Sequence, residues 1–388
     1  SRNDGNGQSG KSPGQIAMRK QSDLVKSEKK HPKHVMPILV LIVIPLVTGL
    51  ILGYEMSGNV ASNIPTVVVD HDHSDFSRTF IEYIDESSFF EVIEYADRDE
   101  RVEEMLYNQE AFVGVIIPEN LYSDMKEGKA PRILTIYDGS TLIVLSAARS
   151  AMSEILLTVK TAFMMNIYQG KLGVAPADVM NHALPVDVTY RLLFNPARNY
   201  RNFLLPGMLA GLIQVGIACM GADRAGDMRD RGIKFSAHLK TIFNWGIFGT
   251  VSIFLTMLEQ CLFFGIPYKG TLLGGIVVTL LFSIVVFCIG YMIGSMISDR
   301  TLASQISAVL VLPTTILGGY TWPVLAMPDF FQKLAKILPF TYYGEAVRNL
   351  CVKPLQFHHL LPTIFTLCIF AAVEIGALYV IKRKGVSA

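Results

Sequence analysis

Six apolar runs constrain this chain more than anything else in it: Val35–Tyr54, Phe203–Ala222, Phe243–Ile266, Leu272–Ile297, Leu302–Leu317 and Leu360–Ile381. A helix of about 20 residues rises roughly 30 Å, the thickness of a bilayer's hydrocarbon core. Only structures that satisfy their own backbone can cross lipid, so runs of this length read as spanning helices. The first run is followed by no cleavage site of a secretory signal and reads as a retained span. With 51% hydrophobic and 17% charged residues among 388, the chain is more apolar than an average soluble protein. All five cysteines lie in or beside the apolar second half, which excludes a disulfide framework in the polar stretch 55–200. The net charge of +1 carries no sign of a nucleic-acid partner.

The distribution of charge sets the topology. Arg19, Lys20, Lys26, Lys29, Lys30 and Lys33 precede the first run, against only Asp23 and Glu28. Basic excess marks the cytoplasmic side, so the N-terminus is expected there. The stretch Asp223–Lys240 is again net basic, and the sixth run ends on Lys382-Arg383-Lys384. Six spans with both termini inside satisfy every loop except the one carrying Lys269. Residues 1–34 are rich in Gly, Ser, Asn, Gln and Lys and are expected to be a disordered basic tail. They contain Gly5…Gly10-Lys11-Ser12, a phosphate-loop pattern. That motif needs a strand before it and a helix after it. Four residues precede Gly5 and Pro13-Gly14 follow, so nucleotide binding is not expected here. A chain opening on Ser1 rather than Met is expected to be a fragment or a processed form.

Residues 55–200 change character and read as one α/β domain outside the cytoplasm. Strands are expected at Ile64–Asp70, Phe89–Tyr95, Phe112–Ile117 and Arg132–Tyr137. Helices are expected at Ser74–Asp85, Asp99–Asn108 and Leu142–Tyr168, with Val186–Phe194 leading back to the membrane. Asp70-His71-Asp72-His73-Ser74-Asp75 offers metal-ligating residue types. The plainer reading has Asp70 ending a strand and Ser74 or Asp75 capping the next helix. Thirteen carboxylates between Asp70 and Glu104 face only Arg78, Arg98 and Arg101 and read as a solvated acidic face. The fold class is therefore an α-helical polytopic membrane protein of six spans with an inserted α/β domain: 1–34 tail, 35–54 first span, 55–200 inserted domain, 201–388 spans two to six.

No catalytic constellation emerges. The eight histidines sit mostly in tails and loops, with no serine or cysteine partner at a recognisable spacing. Ionisable and amide residues inside spans are functional candidates by default. Gln214, Glu259, Gln305 and Glu374 are such residues, placed along a substrate path or in interhelical networks. The plainer alternative has Glu259 reaching back to the outer interface and the glutamines bridging helices.

The stretch Thr301–Asn349 is the most distinctive. Its apolar run breaks at Gly318-Gly319 and Trp322-Pro323, continues through an amphipathic piece, Met327–Ile337, and closes on Leu338-Pro339-Phe340-Thr341-Tyr342-Tyr343-Gly344-Glu345-Ala346-Val347-Arg348. These are helix-ending signals, yet apolar residues continue on both sides. A span that turns back through the outer interface fits, with Gly318, Gly319, Pro323, Pro339, Tyr342, Glu345 and Arg348 as its re-entrant or gating residues. An ordinary loop between two spans is the alternative.

This stretch, with Phe194-Asn195-Pro196…Phe203-Leu204-Leu205-Pro206-Gly207 and Gly265-Ile266-Pro267…Gly270 in the same order, resembles the ABC-2 type permeases. These are the membrane subunits of one class of ATP-binding-cassette exporters. The resemblance implies a dimer, of two copies or with a related permease, working with two separate ATP-binding subunits that hold ATP and Mg. It implies export of an amphipathic, drug-like or lipid-like substrate across the cell membrane, with the outer domain gating or meeting an adaptor. It also implies that the charged loop after the second span couples the ATPase to the spans: Arg224, Asp227, Arg229, Asp230 and Arg231. Here the family's R-E-R-E-x-G-T-like pattern is altered, and Gly226 is expected to weaken the helix. The tail lacks the family's interfacial amphipathic helix. A rival reading is a membrane-anchored surface receptor or secretion-accessory protein of the same layout with no ATPase.

Overall fold

The computed structural model describes residues 35–56, 62–127, 129–172, 193–195, 199–229 and 233–386. The basic tail with Gly5–Ser12, the return segment 186–192, and Asp230 and Arg231 lie outside the described residues. The chain divides into two compact units: residues 1–57 with 201–388, and residues 58–200.

In the first unit, six helices are long and apolar enough to cross a membrane. They are α1 (Val35–Glu55), the helix Tyr200–Asp227, the helix Phe235–Phe264, the helix Leu272–Met296, the broken helix Arg300–Leu317 and the last helix, spanning Phe357–Arg383. Pro45 decides the shape of α1. Proline cannot donate to the carbonyl four residues earlier, here that of Leu41. The chain responds with a π-turn over Leu39–Val43, and the Ser252 hydroxyl from the third span donates to the Leu41 carbonyl. Pro45 thus produces a π-bulge whose freed carbonyl is satisfied from a neighbouring helix.

The second unit is built on a four-stranded sheet, order β2-β1-β3-β4. β1 (Ile64–Asp70) runs parallel to β2 (Phe90–Ala96) and β3 (Val113–Ile117), and β4 (Leu134–Tyr137) runs antiparallel to β3. Val67, Val68 and Val69 are all buried, as a central strand covered on both faces requires. On one face α2 (Asp75–Asp85) packs Phe80 and Ile84 with Val68 and Val115, joined by α5 (Leu142–Leu172). On the other face α3 (Asp99–Tyr107) packs Val102 and Met105 against Val67 and Val69. The edge strand β2 alternates, with Ile93 and Tyr95 exposed. A short helix, α4 (Leu121–Lys126), follows β3 and was not legible in the sequence, because six residues show no period.

The Asp70–Asp75 stretch is a strand end and a helix cap. Ser74 accepts from the Ser77 amide, and Asp70 accepts from the amides of Asp72 and His73 and from the Ser77 hydroxyl. Asp72 accepts from the Tyr122 amide at the start of α4. Among the described residues no group of three His, Cys, Asp or Glu is placed to hold a metal ion. Ser74→Ala should lower the stability of this unit by about 1 kcal/mol, read from the thermal midpoint.

Arg101 on α3 clamps Glu94 on β2 at 2.8 and 3.0 Å. The hydrogen bonds from Arg101 lower the Glu94 carboxyl below its ordinary value. A depressed carboxyl contributes stability at neutral pH that is lost as pH falls through its folded value. Glu94→Gln should therefore flatten the fall in thermal midpoint between about pH 5 and pH 3. Calorimetry of the solubilised chain at several pH values reads this slope, and an unchanged slope would place the acid sensitivity in other groups.

Candidate functional site

Both ends of α6 (Tyr200–Asp227) carry an arrangement that a bare spanning helix does not need. At one end a cavity of about 680 Å³ opens between α1, α6 and the start of α9 (Arg300–Val311). Its walls are apolar, with Val40 and Ile44 from α1 and Leu209, Ile213 and Met220 from α6. One end is lined by Asp223, Arg224, Asp227 and Arg300. These four balance in charge. Arg300 lies 2.8 Å from Asp227 and 3.7 Å from Asp223; Arg224 lies 3.0 Å from Asp227 and 3.8 Å from Asp223. The Arg224 guanidinium also stacks 4.9 Å from the Trp245 ring of α7 (Phe235–Phe264).

Gly226 does not break the helix here. α6 runs through it to Asp227, and a β-carbon at Gly226 would stand 2.6 Å from Arg300 Nε. Its absence of side chain gives Arg300 the room to reach Asp227. Tertiary packing has overridden the weak propensity of glycine. The five residues expected to act as one loop separate accordingly. Arg224 and Asp227 are helical members of the ion cluster. Arg229 donates to the carbonyls of Gly294, Ile297 and Ser298 at the end of α8 (Leu272–Met296), where unsatisfied carbonyls favour a cation. Asp230 and Arg231 lie outside the described residues.

The four polar residues within spans are not brought together, and none lines the cavity. Gln214 is buried on α6, and its amide nitrogen donates to the hydroxyls of Thr314 and Thr315 at 3.1 and 3.0 Å. It thereby ties α6 to the turn Thr314–Leu317 that follows Pro313. Glu259 is turned into the bundle. It is buried on α7 against Gly49 of α1, with the Gln260 amide 3.5 Å from its carboxylate. Glu374 is buried on the last helix, α12 (Leu361–Val386), and its Oε2 has no hydrogen-bond partner among the described residues. Gln305 projects from the exposed face of α9.

At the other end of α6 the broken stretch docks. After Thr314–Leu317 the chain turns at Gly319, whose φ of +84° suits glycine. It forms a 3-10 turn, Val324–Ala326, enters α10 (Asp329–Ala335) and returns as α11 (Pro339–Val352), with Pro339 in the first turn. Tyr320 is the docking residue. Its hydroxyl accepts from the Gly207 amide at 2.8 Å and donates to the Phe203 carbonyl at 3.0 Å. Those two groups are an i, i−4 pair, so the phenol is inserted into the hydrogen-bond ladder of α6, one residue past Pro206. A β-carbon at Gly207 would stand 2.0 Å from the Tyr320 ring, so only glycine admits it. Arg348 donates to the Tyr320 carbonyl, and its guanidinium lies 4.1 Å from both the Tyr320 and Phe203 rings.

Of the residues singled out in this stretch, Gly318, Gly319 and Arg348 surround Tyr320 or shape its turn. Tyr342 instead donates to the Lys336 carbonyl in its own loop, Pro323 precedes the 3-10 turn, and Glu345 is exposed. Tyr320, Phe203, Gly207, Arg300 and Trp245 join these arrangements without having been among the site residues expected. The one signal for them was Pro206-Gly207 in mid-span.

The sequence profile of ABC-2 family transporter proteins matches residues 36–380. The chain belongs to this family. Among relatives, the probable multidrug ABC transporter permease YbhR of Escherichia coli (strain K12) is 19% identical over 356 residues, 89% of this chain and 93% of that protein. YbhS, a probable multidrug ABC transporter permease of the same organism, is 24% identical over 177 residues, 42% of this chain and 47% of that protein. The ABC transporter G family member 20 of Dictyostelium discoideum is 25% identical over 182 residues, 44% of this chain but a quarter of that protein's length. The chain is thus a multi-pass membrane permease of the ABC-2 family, a transport component.

In this permease Gly207→Ala should destabilise the docked stretch by about 1–3 kcal/mol through overpacking against Tyr320. Tyr320→Phe should cost less, because α6 can reclose its own 203–207 bond. The pair Gly207→Ala with Tyr320→Ala should fall short of the sum of its parts, since both act on one contact. Thermal midpoints of the four purified variants test this.

Proposed function

We propose that this permease exports an amphipathic, drug-like or lipid-like molecule, driven by ATP that separate ATP-binding subunits hydrolyse with Mg. The observation that carries this reading is the cavity beside α6, apolar along its walls and charge-balanced at its end. An amphipathic molecule matches both: hydrocarbon against Val40, Ile44 and Leu209, and a polar head at the Asp223–Arg300 cluster. The names of the two E. coli relatives, probable multidrug permeases, support the same class of cargo. The permease works as a pair, with itself or with a related chain, against two ATP-binding subunits.

The basic excess before α1, around Asp223–Lys240 and after the last span supports both termini being cytoplasmic in the cell's inner membrane. Residues 55–200 would then be extracytoplasmic, where the acidic face offers an adaptor a contact. The cluster at the cytoplasmic end of α6 is the handle on which the ATP-binding subunits act. Arg229, capping α8, makes that handle rigid. A push there is carried along α6 to the docked turn at Tyr320.

The test is co-purification with the ATP-binding protein, followed by ATPase activity with and without this chain. A complex with altered turnover is the expected result; a chain that purifies alone and changes no ATPase overturns the reading. Within the complex, Arg300→Gln should lower substrate-stimulated turnover roughly tenfold, the scale of one half-buried charge pair. The exchange Asp227→Arg with Arg300→Asp should recover part of that loss.

A further inference from the structure

The first turn of α6 holds a cation where a helix does not favour one. Arg201 is the second residue of α6 and is only 9% exposed. Its Nη2 donates to the Phe264 carbonyl at the end of α7, at 2.6 Å. A helix N-terminus carries about half a positive charge and a C-terminus about half a negative one. The two helix ends therefore offset one another, and the charge of the guanidinium itself is left without a counter-ion. Among the described residues, Arg78, Arg101, Arg224 and Arg300 are paired with carboxylates, and Arg201 is not. Arg348, also unpaired, lies against two ring faces at 4.1 Å. Arg229, the cation at the end of α8, is exposed and finds three carbonyls, whereas Arg201 is buried and finds one. The Arg201 Nε is buried with no hydrogen-bond partner among the described residues. A buried charge is costly unless it is paired and hydrogen-bonded.

We propose that Arg201 binds the phosphodiester of a phospholipid at the surface of the bilayer. Its position suits this ligand. The apolar run of the second span begins at Phe203, two residues on, and that of the third ends at Ile266, two residues past Phe264. Arg201 thus stands at the edge of the hydrocarbon, where the headgroup layer begins. A guanidinium presents its N–H groups as a planar fork that matches two phosphate oxygens. One phosphate supplies the missing negative charge and gives Nε an acceptor. From there α7 exposes Leu262, Leu258, Leu255 and Val251 in steps of four, three and four residues. That stripe is roughly 16 Å long, about the depth of one leaflet's hydrocarbon, and gives an acyl chain a track. The bound lipid ties the first turn of α6 to the end of α7, two residues before the Phe203 carbonyl that Tyr320 engages. With the orientation proposed above the lipid belongs to the outer leaflet. Its binding rests neither on that orientation nor on an ATP-binding subunit.

The test is lipid binding to the full chain, purified and delipidated in detergent, read by native mass spectrometry. The probes are phosphatidylglycerol, diacylglycerol with the same acyl chains, and inorganic phosphate. A phosphatidylglycerol adduct that excess inorganic phosphate does not displace, with none from diacylglycerol, is expected. Equal binding of diacylglycerol overturns the phosphate contact, and displacement by inorganic phosphate makes this a free-anion site and overturns the lipid. Arg201→Gln should weaken phosphatidylglycerol binding roughly tenfold. Arg201→Lys, which keeps the charge but loses the fork, should weaken it roughly threefold. Lys333→Gln, which removes an exposed cation on α10, should leave it unchanged. Equal losses from Arg201→Gln and Lys333→Gln mean diffuse attraction and overturn the site. Unchanged binding in Arg201→Gln also overturns it and leaves Arg201 as a cap on α7. Should Arg201→Gln not fold, Arg201→Lys decides: the threefold loss supports the fork and unchanged binding overturns it. No ATP-binding subunit is present, so failure to find one leaves this result intact.

Discussion

A backbone group freed inside a bilayer has no water to turn to, and the interior of this permease is arranged around that constraint. Three spans carry a proline, Pro45, Pro206 and Pro313, and beside each a side chain from another helix makes hydrogen bonds, at Pro45 to the freed carbonyl itself. Ser252 of α7 serves the Leu41 carbonyl of α1. Tyr320 serves both Gly207 and Phe203 of α6. Gln214 of α6 holds the hydroxyls of Thr314 and Thr315 in the turn after Pro313. The breaks are thus the fastenings. α6 takes part in two of the three, which is why it joins the charged end of the bundle to the docked turn.

The spans were legible because a bilayer imposes a length and a composition that no soluble helix needs. The elements of the second unit were legible from different signals: Val67-Val68-Val69 for a strand covered on both faces, and Ser74 before an amphipathic helix. The site was much less so. Gly226 read as a weak point in a helix, and only the position of Arg300, 74 residues later in the chain, turns it into a clearance. Glu259 read either as a path or network residue or as one reaching back to an interface, and its burial against Gly49 of α1 lies across more than 200 residues of sequence. Tyr320 stands in the break after Gly318-Gly319, with nothing nearby in the sequence to say what it touches. Its hydroxyl is inserted into a helix that the sequence places over 100 positions away. Local periodicity speaks for elements; these contacts are set by which helices meet, and one sequence does not carry that.

The charged end follows a related logic. Two arginines and two aspartates next to an apolar cavity would each be costly alone, and the cost falls when they are paired and hydrogen-bonded. Distribution over two helices matters as much as pairing. Asp223, Arg224 and Asp227 belong to α6 and Arg300 begins α9, so the cluster registers one helix against the other. Trp245 of α7 adds a third helix through the Arg224 stack. A displacement of any of the three disturbs the head of the cavity.

The Tyr320 insertion has a property that the other two fastenings lack. When the phenol is in place, it accepts the Gly207 hydrogen and gives its own to the Phe203 carbonyl, so neither backbone group is left bare. When it withdraws, those two groups are already one turn apart and can bond directly, as in any α-helix. Only the phenol must then find another partner. The two arrangements therefore differ by few hydrogen bonds, and the balance passes to the Arg348 stack and to Gly207, which admits the ring without a clash.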